Sequence, residues 1–176
     1  MPYLTRHNRN TLYQPANIPT FEEIYNCYAP QIFRVCLGYT NDPDQAKDLV
    51  QETFIAVWKN LPGFRYQSQL STWIFRIATN HCLRAIEVAK RMPAVELPFD
   101  LAESTEESPE EKLSLLYRCI AELEETDRII ISLELEGLPQ AEIAAVVGLN
   151  KGNVRVKIHR IKEKLAQKFE AYGQFR

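Results

Sequence analysis

Residues 137–165, GLPQAEIAAVVGLNKGNVRVKIHRIKEKL, hold the pattern that decides the fold: two short helices separated by a tight break. The first helix is predicted from about Pro139 to Val147, with the proline in the first turn, where its missing N–H removes no helical hydrogen bond. Gly148 follows at a position where a helix C-terminus favours a left-handed residue. Asn150 is a good N-cap for the next helix. The spacing therefore predicts a helix-turn-helix.

Apolar residues recur along both of these helices at helical spacing. In the first helix, Ile143, Ala144 and Val147 fall at i, i+1 and i+4 and form one buried face. The inner stripe of the second helix consists of Val154, Ile158, Ile161 and Leu165. Its outer positions are mostly basic: Lys151, Asn153, Arg155, Lys157, Arg160, Lys162 and Lys164. This layout is typical of a recognition helix that contacts base edges in the major groove and phosphates on its flanks.

Two other interpretations share this pattern. A basic helix face is commonly just solvated, and a helical hairpin with a glycine turn occurs in many helical proteins. The combination of helix, glycine and capped basic helix favours DNA binding. The role of this DNA binding has to be inferred from the rest of the sequence.

Length and composition indicate a globular protein with one or two domains. The 176 residues are 45% hydrophobic and 25% charged, which is sufficient for buried cores. The sequence contains no run of about eighteen apolar residues, which a transmembrane helix would need. The polar N-terminal segment lacks the apolar centre of a signal peptide. We expect a cytoplasmic chain without stable membrane insertion, with residues 1–19 forming a flexible N-terminal arm.

Four cysteines lie in apolar helical contexts without any Cys-x-x-Cys pair: Cys27, Cys36, Cys82 and Cys119. We therefore expect buried, reduced thiols rather than disulfides or metal ligands. His81 precedes Cys82, but neighbouring residues on a helix point about 100° apart and do not chelate one ion together. The sequence predicts neither a metal site nor a cofactor.

Charge is distributed unevenly around a net value of −2. Residues 150–176 carry eight Lys or Arg against two acids, whereas residues 92–111 carry seven acids and no Lys or Arg. Most of the affinity of a protein for duplex DNA comes from counterion release at phosphates, so a chain without overall positive charge binds duplex DNA weakly. The charge balance predicts a partner that supplies part of the DNA affinity.

Two helical blocks flank a segment rich in proline and glutamate. Residues 92–109 predict a flexible acidic linker, which is either a tether lying in a basic channel of a partner or an ordinary solvated linker. The first block, residues 20–91, predicts three helices over 20–38, 44–60 and about 71–91. Thr20 and Glu23 form a capping box, and Ser71 is the expected cap of the third helix.

The second block, residues 110–172, contains the helix-turn-helix. Helices over 109–123 and 125–135 are predicted to precede it. No period-two alternation of useful length occurs, so we expect no sheet. The sequence predicts an all-α fold of two small helical domains joined by the acidic linker.

Two segments resemble the extracytoplasmic-function (ECF) sigma factors of bacteria, group IV of the sigma-70 family. DLVQETFIAVWKNLPGFRYQSQLSTWIFRIATN, residues 48–80, is similar to region 2 of that family, and LEETDRIIISLELEGLPQAEIAAVVGLNKGNVRVKIHRIKEKL, residues 123–165, is similar to region 4. The order, the gap of roughly forty residues and the missing intermediate domain also fit. The resemblance implies a non-catalytic subunit that recognises the −35 element with region 4 and the −10 element with region 2, and starts promoter melting.

The resemblance also implies partners. Such a factor binds core RNA polymerase through the β′ and β subunits, binds promoter DNA, and is commonly held inactive by an anti-sigma factor. The coiled coil of β′ would meet the polar side of the second helix at Asp48, Gln51 and Glu52. The alternative is that these side chains merely solubilise the helix.

The loop over 63–70 and the helix after it resemble the family's −10 reader, which holds a base flipped out of the non-template strand. Such capture needs stacking surfaces and a basic groove for the backbone. The residues implied are Phe64, Arg65, Tyr66, Arg76, Asn80 and Arg84. Phe64 is alternatively a loop anchor, and Trp73 is either a melting wedge or a core residue. The family usually has a denser basic run where this chain has residues 85–89.

For the −35 element, the resemblance implies contacts by residues of the second helix of the helix-turn-helix. They are Lys151, Asn153, Arg155, Lys157 and Arg160. An Arg or Lys that contacts a base edge would favour guanine.

Three other classes of protein compete with a promoter-specificity subunit. An ordinary helix-turn-helix regulator with an unrelated sensory domain does not explain residues 48–80. An enzyme is disfavoured, because the sequence shows no nucleophile–base pair, metal-spaced cluster or glycine-rich phosphate loop. A sigma-like interaction protein that has lost promoter melting remains as the alternative.

Overall fold

The computed structural model of the chain describes residues 19–89 and 109–174, which fold into seven α-helices without a strand. The helices are α1 Phe21–Thr40, α2 Pro43–Asn60, α3 Leu70–Ala89, α4 Pro109–Ala121, α5 Glu125–Leu135, α6 Gln140–Val147 and α7 Lys151–Gln174, with a 3₁₀ turn at Leu61–Gly63. The predicted all-α fold is confirmed. Apart from residues 19 and 109, the predicted N-terminal arm and acidic linker lie outside the described residues.

Side-chain caps set the starts of α1 and α2. The predicted capping box is present: the Thr20 hydroxyl accepts from the backbone N–H of Glu23, and the Glu23 carboxylate accepts from the Thr20 N–H at 2.7 Å. α1 runs to Thr40 and ends at Asn41, whose φ of 54° is left-handed. Asp42 then accepts backbone hydrogen bonds at the start of α2, so the two helices turn sharply against each other.

The predicted break between α6 and α7 is confirmed. Gly148 has a φ of 73°, a value that costs glycine no steric strain. The Asn150 side chain accepts from the backbone N–H of Asn153 at 2.8 Å and caps α7. The inner stripe of α7 is buried as predicted: Val154, Ile158, Ile161 and Leu165.

The predicted starts of α1, α2, α3 and α6 each differ by one residue from the observed ones. α3 begins at Leu70, because the Gln69 carbonyl already accepts from the Trp73 N–H. Ser71 therefore lies in the first turn, and its hydroxyl donates to a carboxylate on α6 instead of capping. Pro139 lies just before α6, where its carbonyl accepts the first helical hydrogen bonds.

A hydrophobic core runs through both groups of helices, which we call the first unit (α1–α3) and the second unit (α4–α7). Its largest fully buried side chains include Ile24, Ile32, Tyr39, Ile74, Phe75, Ile120, Ile130, Leu133, Ile143 and Ile161. The predicted burial is also confirmed for Cys36, Cys82 and Cys119, whereas Cys27 is half-buried. None of the described helices is long and apolar enough to cross a membrane.

The two units pack directly against each other. α1 lies against α4 and α5, and α3 lies against α6. Gly38 of α1 allows the close approach, because a Cβ there would lie 2.4 Å from the Ser132 hydroxyl of α5. The sequence pattern indicated two blocks but carried no information on how they meet.

Candidate nucleic-acid and protein interfaces

The three α2 residues of the predicted polymerase contact lie together. Asp48, Gln51 and Glu52 are all exposed, and their i, i+3, i+4 spacing places them on one side of the helix. We call them the acidic face. Glu52 Oε2 lies 3.2 Å from Nδ1 of His81 on α3, so one of the carboxylates also braces α2 against the neighbouring helix.

An exposed apolar patch of three residues also lies on α1 and α2. Tyr25, Ile55 and Trp58 are 44%, 54% and 62% exposed. The ring of Phe21 lies 4.9 Å from that of Trp58, and the rings of Tyr25 and Phe54 are 4.8 Å apart. An apolar patch beside charged groups is typical of a protein-binding surface.

Sequence reasoning missed Ile55 and Trp58. The signal was present, since Ile55 follows Gln51 by four residues and Glu52 by three. At helical spacing it therefore shares the polar side of α2 with them.

The loop before α3 is organised by three aromatic rings. Phe64 is half-buried, with its ring centroid 4.8 Å from that of Tyr66 and 4.9 Å from that of Trp73. Phe64 and Trp73 both pack on the core, which favours their interpretation as loop anchor and core residue. Arg65 and Tyr66 are exposed, and Tyr66 has a left-handed φ of 55°, an uncommon conformation outside glycine.

The other predicted −10 residues form one stripe along α3. Arg76, Asn80 and Arg84 are spaced by four residues and are all exposed; we call them the reader stripe. Its first member is already engaged, because the Arg76 guanidinium donates to the Ala145 carbonyl of α6 at 2.6 Å. The structure thus brings the reader stripe together and places α6 against its beginning.

The buried start of α3 also contacts α6. The hydroxyls of Ser71 and Thr72 both donate to Oε2 of Glu142, at 3.2 and 3.1 Å. Both residues are more than nine-tenths buried. A carboxylate here lies at the positive end of the α3 dipole, where negative charge is favoured.

The predicted −35 surface is exposed on α7 with one exception. Lys151, Asn153, Arg155 and Arg160 are exposed. Lys157 is half-buried, and its ammonium lies 2.6 Å from the Asp127 carboxylate of α5. The ion pair turns the Lys157 ammonium towards α5, at the edge of the outer face of α7.

The far end of α7 is fastened to the turn after α4. Lys168 and Tyr172 both donate hydrogen bonds to the Glu122 carboxylate. The hydrogen bond from Lys168 is the main cause that lowers the pKa of Glu122. α7 is thereby held along its length while its outer side stays open.

Across residues 19–89 and 109–174, no group of three His, Cys, Asp or Glu side chains is arranged to hold a metal ion. The chemical groups that the structure does present are hydrogen-bond donors, guanidinium and ammonium groups, and exposed rings. These are the groups that bind nucleic acid and protein surfaces.

Comparisons with known proteins match the chain in two parts. The Sigma-70 region 2 family model matches residues 24–92, and the Sigma-70 region 4 family model matches residues 113–165. The two matched segments correspond to the first and second units.

Two curated relatives align along most of the chain. The ECF RNA polymerase sigma factor SigE of Mycolicibacterium smegmatis is 28% identical over 85% of this chain, and the chain spans 62% of that relative, less than two thirds of its length. The ECF RNA polymerase sigma-E factor of Escherichia coli (strain K12) is 32% identical over 70% of this chain and 73% of its own length.

A solved structure matches the fold. The sigma factor RpoE of Bartonella quintana, in complex with the anti-sigma factor NepR, has a TM-score of 0.70 at 20% sequence identity. The match covers 85% of this chain and 96% of that chain. At this identity the likeness shows the arrangement of helices alone.

Proposed function

This chain belongs to the ECF sigma factors of the sigma-70 family, and from that premise we propose that it binds core RNA polymerase and directs initiation at promoters whose −35 and −10 elements it recognises. One observation supports the proposal most. The same chain carries the reader stripe on α3 and, after it, a capped basic recognition helix, α7, and the family has its −10 and −35 regions in this order. Sigma factors are non-catalytic specificity subunits, in agreement with the expectation that the chain is not an enzyme.

We divide the chain by analogy with that family. Residues 20–91 are the region 2 domain, residues 92–109 the acidic linker, and residues 110–172 the region 4 domain. The linker lets the two domains contact separate promoter elements. The exposed basic residues of α7 and the exposed rings and cations of the first unit support this division.

The −35 element is assigned to the first turns of α7. Lys151, Asn153 and Arg155 lie where a recognition helix meets base edges, and Arg160 lies one turn further on, where phosphates are met. Bidentate donation from arginine to the O6 and N7 atoms of guanine is the commonest specific base contact. Lys157 takes a smaller part, because Asp127 already holds its ammonium group.

The −10 element is assigned to the loop and the reader stripe. Arg65 and Tyr66 are exposed beside the anchored Phe64 and offer planar groups on which an unstacked base can lie. Asn80 presents an amide that can hydrogen-bond a base edge, while Arg76 and Arg84 follow the backbone. Capturing a flipped base in this way stabilises the melted strand and assists promoter opening.

Core polymerase is assigned to the acidic face of α2, opposite the coiled coil of the β′ subunit, with further contacts to β. Ile55 and Trp58 add exposed apolar area to this surface. A chain with a net charge of −2 binds duplex DNA weakly by itself. This charge supports a function in which the chain selects the promoter while the polymerase supplies much of the DNA affinity. The assembly works in the cytoplasm, where the polymerase is.

An anti-sigma factor is the second proposed partner. The RpoE structure that matches this fold was determined as a complex of a sigma factor with an anti-sigma factor. We infer that a comparable protein restrains this chain by covering surfaces of both units.

Reconstitution with purified core polymerase tests the proposal. Templates selected from a random promoter library with the complex are expected to support run-off transcripts that core polymerase alone does not make. Tight core binding without initiation on any selected template would instead support a sigma-like interaction protein that has lost promoter melting.

A further inference from the structure

One apolar side chain lies on the outer side of α7, among the residues assigned to the −35 element. Val156 is 50% exposed. With 3.6 residues per turn, position 156 lies about 200° around the helix axis from Val154 and from Ile158. Both of these residues are buried in the core. Val156 therefore points away from the core, almost directly opposite the inner stripe.

Helix stability does not account for a valine at this position. Val156 is not among the apolar residues of the described helices that pack on the hydrophobic core. A β-branched residue is also a poorer helix former than alanine, because the helix restricts its side chain. Single exposed apolar side chains are common on protein surfaces, so the contact that Val156 makes has to be inferred from the groups around it.

Polar and cationic side chains flank Val156 on both sides of the helix. By the same helical angles, Arg155 lies on one side of it, and Asn153 and Arg160 lie on the other. All three are exposed. Guanidinium and amide groups of this kind bind DNA phosphates and base edges. An apolar side chain between them is placed to enter the major groove together with them.

The helical turn before Val156 leaves room for a close approach. Gly152 precedes Val156 by four residues and therefore lies on the same side of α7. A Cβ at this glycine would lie 3.4 Å from Oδ1 of Asn150, which is an ordinary contact, so the fold itself does not exclude a side chain there. Without one, the edge of a base pair can come close to the helix beside the valine.

The chemistry of the major groove restricts what a valine can recognise. Each base pair presents hydrogen-bond donors and acceptors there, and the C5 methyl of thymine is the apolar group among them. The valine side chain has neither a donor nor an acceptor. It can therefore distinguish base pairs only by apolar contact, and the thymine methyl is the group that offers such contact.

We propose that Val156 is a specificity-determining residue, which selects an A·T pair in the −35 element by packing on the C5 methyl of its thymine. This inference rests on the proposed function, because it assumes that α7 lies in the major groove of the −35 element. Arg155 and Arg160 hold the helix on the duplex, and Val156 adds a preference at one base pair that their hydrogen bonds do not supply.

Replacing thymine by deoxyuridine tests this contact, since deoxyuridine lacks the C5 methyl and pairs with adenine in the same way. The chain in complex with core polymerase is titrated with promoter duplexes selected by that complex. Each thymine of the −35 element, on either strand, is replaced in turn. At one position the affinity of the unaltered chain is expected to fall about fourfold, the effect of exposing one buried methyl-sized group.

Three variants show whether Val156 makes this contact. Val156→Ala is expected to bind the thymine duplex about fourfold more weakly than the unaltered chain does, and to bind the thymine and deoxyuridine duplexes equally. Val156→Thr keeps the branched shape and one methyl, so it is expected to retain part of the discrimination. Leu135→Ala shortens an apolar residue of α5 that is 51% exposed; it is the matched control and is expected to discriminate as the unaltered chain does.

Equal affinity of the unaltered chain for every deoxyuridine duplex would overturn the proposal, as would a selected −35 element without an A·T pair. Discrimination that persists in Val156→Ala would assign the methyl contact to another residue. Loss of core binding by Val156→Ala would assign the valine to the polymerase instead.

The same titration separates this proposal from the proposed function. If replacing the whole −35 element leaves the affinity of the complex unchanged, the proposed function fails. If that replacement weakens binding while no single deoxyuridine does, only the contact between Val156 and thymine fails.

Discussion

Asp42 shows how one side chain determines a helix boundary at the residue scale. Its carboxylate accepts from the backbone N–H groups of Asp44 at 2.8 Å and Gln45 at 3.1 Å. These donors would otherwise have no partner in the first turn of α2. The hydrogen bond from Gln45 is the main cause that lowers the pKa of Asp42.

Replacing this cap is expected to destabilise the protein. Asp42→Ala should lower the free energy of unfolding by about 1 kcal/mol, measured by urea denaturation at pH 7. Since the folded pKa is below the ordinary value, the charged carboxylate stabilises the protein above that value, and the stabilisation is lost as the pH falls through the lowered pKa. Asp42→Asn keeps an acceptor and should lack this acid-dependent loss; an equal loss in both variants would contradict the assignment.

Arg155 is the residue on which the −35 assignment depends most. It is exposed on the outer side of α7, and no neighbouring helix requires it for packing. Arg155→Ala in complex with core polymerase is expected to weaken binding to a −35 duplex by about 1–3 kcal/mol, with core binding unchanged. Lys157→Ala should cost less DNA affinity, because Asp127 already holds that ammonium. Loss of core binding by Arg155→Ala would contradict the assignment of −35 recognition to α7 and of polymerase binding to α2.

At the scale of elements, α2 has a buried apolar side and an opposite, exposed side. The acidic face carries two carboxylates, and the exposed Ile55 follows on the same side. Asp48→Lys and Ile55→Ser are each expected to weaken core binding about tenfold in a pull-down titration, because opposite charge and apolar area are lost from the contact. Both positions are exposed, so thermal stability should hardly change. Unaltered core binding in both variants would remove α2 from the polymerase interface.

Local chemistry explains which elements were predictable. The capping box at Thr20, the left-handed Gly148 and the buried stripe of α7 each depend on residues within one or two turns, so the sequence predicts them. Ser71 was wrongly expected to cap α3, because a carboxylate 71 residues away takes its hydroxyl. The bond between Lys157 and Asp127 spans 30 residues and has no local signal. Helical periodicity therefore located the interfaces but not the contacts that occupy them.

At the scale of the whole molecule, charge limits what the free chain does. With a net charge of −2, the free chain is expected to bind promoter duplex weakly. In 0.15 M salt, adding core polymerase should raise the apparent affinity for duplex by at least about a hundredfold, as measured by fluorescence anisotropy. Tight, promoter-specific duplex binding by the free chain would show that it is an ordinary helix-turn-helix regulator.

The measurement that tests the central claim most directly is run-off transcription with core polymerase on one selected promoter, with its −35 and −10 elements altered separately. The account predicts that the unaltered chain initiates only when both elements are present, and that Arg155→Ala becomes insensitive to changes at −35 while still requiring −10. Initiation that is indifferent to either element, or equal transcription by core polymerase without the chain, would contradict it.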